Sequence, residues 1–249
     1  MNNLLLFSGN DIPFVEAQVN IHQPIIREIA YISEESFFMG CELLNFSKKN
    51  LKEEDKISLV NQTDFEILMS ILNNPNTAIK QKNECALLVL MLLFPIYQIN
   101  IIPSGILLMR KNEETEQMEI HSINAENYNS FKEILIKMFR LDRRNDKDAP
   151  DYNPGNKQAE VMAERFRKAR EKAAAAKAES KDKELSILGK YISILAVGEH
   201  KDINSLMNYT VYQLFDEFER FEKREAFESH FRAQLAGATG LEKVDYWMN

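Results

Sequence analysis

The stretch Tyr97–Ile123, YQINIIPSGILLMRKNEETEQMEIHSI, decides the fold class of this 249-residue chain. Tyr97–Ile102 and Ile106–Met109 are short apolar runs split by Pro103-Ser104-Gly105, and Met118–Ile123 follows the polar turn Asn112–Glu116. Runs of this length, bounded by turn residues, read as a hairpin with a third strand. The flanks read as helices. Upstream, Thr63-Asp64-Phe65-Glu66 is a capping box that opens a short helix ending at Asn73-Asn74-Pro75, and Ala78–Phe94 is predicted to be the most buried element. Downstream, Ser130–Leu141 places Phe131, Ile134, Leu135, Met138 and Phe139 on one side of a helix. The expected class is therefore α+β and mainly helical, with residues 1–141 forming a mixed domain that contains short antiparallel strands.

Nearer the N-terminus, Val15, Ala17, Val19 and Ile21 alternate with Glu16, Gln18, Asn20 and His22, which predicts a half-buried strand. Leu4–Phe7 is expected to pair with it across Ser8-Gly9-Asn10-Asp11. Residues 25–32, IIREIAYI, have helical spacing, and a second helix after Ser33 carries Phe37, Phe38, Cys41 and Leu44.

Residues 142–155, DRRNDKDAPDYNPG, combine two prolines, a glycine and seven charges, and read as a linker. Residues 156–183 contain neither Gly nor Pro, include the alanine run 173–176, and carry nine basic against five acidic residues, net +4. They are expected to form a charged, extended helix. Residues 184–249 read as a C-terminal helical interaction module. Its last long helix opens with a second capping box, Thr210-Val211-Tyr212-Gln213, and runs to about Leu235. At 100° per residue, Val211, Leu214, Phe215 and Phe218 share one face, whereas Phe227, Phe231 and Leu235 fall roughly opposite. A helix apolar on two faces calls for two covers. Phe227, Phe231 and Leu235, with Tyr246 and Trp247 of the tail, are the candidate partner-binding residues.

Composition narrows the function classes. The net charge of −7 argues against a general binder of nucleic-acid backbones, and the basic segment 156–183 lacks interleaved aromatics. The longest apolar run, Ala86–Phe94, is far short of the roughly 20 residues needed to span a membrane, and the N-terminus lacks a basic leader region. Cys41 and Cys85 are too few for a disulfide scaffold and read as small core residues. His22, His121, His200 and His230 show no metal-ligand spacing, and Glu160 and Glu164 alternate with basic residues as on a solvated helix face. No phosphate-binding loop, HExxH, paired CxxC or GxSxG is present. The residues thus predict no catalytic residue, metal or cofactor, and a protein that is not an enzyme.

Three stretches carry a resemblance: residues 12–44 (IPFVEAQVNIHQPIIREIAYISEESFFMGCELL), 151–177 (DYNPGNKQAEVMAERFRKAREKAAAAK) and 185–248, beginning LSILGKYISILAVGEH. Together they resemble tail-assembly proteins of tailed bacteriophages, encoded near the tape-measure gene in phages of low-GC bacteria. The likeness is one of segment order and style over about half of the chain, without a shared active-site motif. It implies a tail assembly chaperone in the host cytoplasm that coats the tape-measure protein and helps recruit tail-tube subunits; self-association is a separate expectation, raised by the Phe227, Phe231 and Leu235 face, which a second copy could cover. The alternative it leaves open is a structural virion protein of the tail, baseplate or connector.

Overall fold

The computed structural model of the chain describes residues 3–48, 61–74, 77–112, 115–141 and 186–237. The predicted linker 142–155 and extended helix 156–183 lie outside the described residues. Among the described residues the architecture is mainly helical α+β, with two small antiparallel sheets.

The N-terminal segment departs from its predicted hairpin. Asn3–Ser8 is a helix (α1), closed by Gly9 at φ 69°, so Leu4–Phe7 forms no strand. The pairing is instead between Ile12–Phe14 (β1) and Val19–Ile21 (β2), in the register Ile12↔Ile21 and Phe14↔Val19. Val15–Ala17 form a 3-10 turn that ends at Gln18 in the left-handed conformation, φ 56°. The alternation over 15–22 survives as burial of Ala17, Val19 and Ile21, but Val15 is 75% exposed because the turn carries it outward. A four-residue apolar run such as Leu4–Phe7 carries no period, so it does not distinguish a helix from a strand.

Ile26–Ile32 (α2) and Glu34–Leu44 (α3) meet at Ser33, whose Oγ accepts the Ser36 amide at 3.2 Å and caps α3. Asp64–Leu72 (α4) begins with the predicted capping box, with Thr63 and Glu66 each accepting the other's backbone N–H. Thr77–Leu93 (α5) crosses α3 closely, and Phe37, Cys41, Leu44, Ala86, Val89, Leu90 and Leu93 meet in the core. Gln98–Ile102 (β3), Gly105–Lys111 (β4) and Met118–Ile123 (β5) form the three-stranded sheet, ordered β3-β4-β5.

Tyr128–Phe139 (α6) begins two residues before its predicted start because Asn127 Oδ1 accepts the Asn124 amide at 2.9 Å and sets the turn before it. A polar clasp holds α6 to α4. Lys132 Nζ donates to the Phe46 carbonyl at 2.8 Å and to Asp64 Oδ2 at 3.1 Å, while Tyr128 Oη donates to the Leu44 carbonyl at 3.0 Å. Burial would raise the Asp64 pKa, but the Lys48 amide and the Lys132 ammonium outweigh it and hold the carboxyl below its ordinary value.

Ile187–Gly198 (α7), Ile203–Leu206 (α8) and Val211–Leu235 (α9) complete the described chain. They dock on the N-terminal part through backbone and side chain alike. The Ile26 and Arg27 amides at the start of α2 donate to the Tyr209 and Met207 carbonyls, each at 2.9 Å. Glu34 accepts the Ile187 and Leu188 amides at 2.9 and 3.1 Å, which extends the capping of α7. Arg140 reaches Glu219 at 2.8 Å and lies over the Tyr212 ring. A single apolar core runs from Leu6 to Phe218.

Candidate interaction surface

The first half of α9 is anchored. Thr210 and Gln213 form the predicted capping box, and Val211, Tyr212, Leu214 and Phe218 are buried. Tyr191 of α7 stacks on Phe218 with ring centroids 3.9 Å apart, Phe7 meets Tyr212 edge-on at 5.1 Å, and Gln213 Nε2 donates to the Phe7 carbonyl. The anchoring ends near Arg224, which pairs with Glu199 at 3.1 Å and covers the half-buried Phe221 ring. Gly198 permits this join, since a Cβ there would lie 2.5 Å from Phe221.

Beyond this point α9 continues for about 16 Å at 1.5 Å per residue. Its identified polar pairs there are internal to the helix: Arg232 with Glu228 at 3.0 Å and Gln234 with His230 at 2.9 Å. Phe227 is half-buried, Phe231 is 51% exposed and Leu235 is 74% exposed. These three predicted partner residues therefore share one stripe on one continuous helix. Tyr246 and Trp247 lie outside the described residues. One contribution was missed in the sequence: α7 is apolar on its outer side as well, with Ile187 and Ile194 about 40% exposed and Val197 at 74%, beside Gly198. The signal was there in the seven-residue spacing of Ile187 and Ile194, set against the buried Leu188, Ile192 and Leu195.

A second polar feature lies on the opposite part of the chain. His22 Nδ1 is 3.0 Å from Asp11 Oδ1, and its Nε2 is 3.2 Å from Glu28 Oε2; His22 lines a 340 Å³ cleft together with Phe14, Tyr97 and Arg110. Burial pulls the imidazole pKa down, but hydrogen bonds to Asp11 and Glu28 outweigh it and leave the pKa raised. Arg110, which also lines the cleft, is held by Glu119 at 2.6 Å. No Ser, Thr, Cys or Lys lines this cleft among the described residues, and no cluster of His, Cys, Asp and Glu among them could hold a metal. No helix of the described residues is long and apolar enough to cross a membrane.

Residues 179–249 match the family model described as the YomV second domain, a name of phage derivation. The matched region contains α7, α8 and α9, and with them the exposed stripe. No curated protein and no solved structure matches the chain. The match is consistent with a phage protein.

Proposed function

We propose that this chain is a phage tail assembly chaperone. In this reading it acts by binding in the cytoplasm of the infected cell, without catalysis of its own. The observation that carries the proposal is the stripe of Phe227, Phe231 and Leu235 on a helix whose first half is fixed in the core and whose second half extends past it. Exposed aromatic and aliphatic anchors on a helix suit an apolar helical client, because residues four apart lie on one helix face and a few buried anchors supply most of the binding energy. The tape-measure protein is such a client, and tail-tube subunits are the partners recruited with it. The phage-derived family match over the same helix supports this direction.

Mass spectrometry of purified virions beside infected-cell lysate tests the proposal. Abundant peptides in lysate and none in virions are expected. Stoichiometric presence in virions would overturn the chaperone reading in favour of a structural tail component.

A further inference from the structure

We propose that β3 joins two copies of this chain, edge to edge and antiparallel, into a six-stranded sheet across a two-fold axis. The inference rests on the sheet alone and is independent of the client-binding reading. The Asn112 amide donates to the Gln117 carbonyl at 2.9 Å, extending the β4–β5 ladder. With the register Arg110↔Glu119, Leu108↔His121 and Ile106↔Ile123, the even residues of β4 bond to β5. The odd residues Gly105, Leu107 and Met109 then bond to Ile102, Asn100 and Gln98 of β3. Ile99 and Ile101 are left with their N–H and C=O groups directed away from β4, along an edge that no described strand covers.

The sequence of this edge lacks the usual protection. Sheet edges are commonly blunted with lysine, proline or an inward charge. Gln98-Ile99-Asn100-Ile101-Ile102 contains none of these, and its three β-branched residues favour extended backbone. The Ile99 and Ile101 side chains pack against the core yet remain half-exposed, as expected at a sheet margin with no next strand.

A second β3 is a partner matched in both charge and register. With the two-fold axis at Asn100, Ile99 of one copy faces Ile101 of the other, and both residues have outward backbone groups. Two hydrogen-bonded pairs result, flanking a non-hydrogen-bonded Asn100–Asn100 pair at about 4.5 Å between Cα atoms. No like charges meet, because the strand is uncharged. Such an isologous contact closes as a dimer and leaves no further β3 edge.

Sedimentation of the full chain at high micromolar concentration tests this. The expected species has twice the 28.9 kDa chain mass, and Asn100→Cys becomes a disulfide-linked dimer under mild oxidation. Gln98→Cys does not, because its own symmetry mate lies about 13 Å away at 3.3 Å per residue, beyond the reach of a disulfide. Ile101→Pro deletes an outward N–H without touching the β3–β4 ladder, so it yields a monomer with near-native circular dichroism. A monomeric wild type, equal cross-linking of Asn100→Cys and Gln98→Cys, or a folded Ile101→Pro variant that stays dimeric would each overturn the proposal.

Discussion

Gly40 stands where α3 crosses α5 so closely that a Cβ would lie 2.4 Å from the Cys85 carbonyl oxygen and 2.7 Å from its carbon. The obstacle is backbone within a long helix, so no side-chain rotation relieves it. Gly40→Ala is expected to destabilise the fold by about 1–3 kcal/mol, as overpacking does, which urea denaturation would measure. An undiminished midpoint would show that the two helices separate freely. His22 offers a pH-dependent counterpart. Its folded-state pKa is raised above the ordinary value, so the stabilising contribution is complete below the unfolded pKa and is lost as pH rises through the folded one. The pairs are partly exposed and screened by solvent, which keeps the effect small. The melting-temperature advantage of wild type over His22→Gln should therefore shrink between about pH 5 and pH 8. A constant difference would indicate that His22 is not charged in its pairs.

Helix caps illustrate what is decided locally. Thr210 accepts the Gln213 amide and Gln213 Oε1 accepts the Thr210 amide in return. Thr210→Ala should cost about 1 kcal/mol, read as a shift in thermal midpoint, and Thr63→Ala at the equivalent position of α4 should cost a similar amount. Both caps were legible in the sequence because the motif and the structure it forms lie within four residues. The sheet Tyr97–Ile123 was legible for the same reason, since turn residues separate its strands. The Leu4–Phe7 helix was not, because four apolar residues carry no period. Nor was the docking of α2 on the 207–210 segment, which rests on the Ile26 and Arg27 amides and the Tyr209 and Met207 carbonyls. Backbone groups leave no signature in residue identity. On α9, Phe227, Phe231 and Leu235 could be assigned to a separate face by angle alone, whereas the exposure of Phe231 and Leu235 depends on where the core ends.

Across the whole molecule, the C-terminal helices share one apolar core with the N-terminal part and are tied to it by the Arg140–Glu219 pair and the Glu34 contacts to α7. Calorimetry should therefore show one transition for the described fold, with equal calorimetric and van't Hoff enthalpies. Two resolved transitions would mean that the docking is weak. The client-binding account requires that the outer half of α9 be dispensable for this stability and necessary for binding. Its most direct test is the affinity of the full chain for the tape-measure protein of the same phage, with Phe231 and Leu235 both changed to Ala. Truncating two exposed anchors worth about 2 kcal/mol each should weaken binding by about a thousandfold, while the melting temperature stays at the wild-type value. A folded double variant that binds as tightly as wild type would contradict the account and place the interface elsewhere on the molecule.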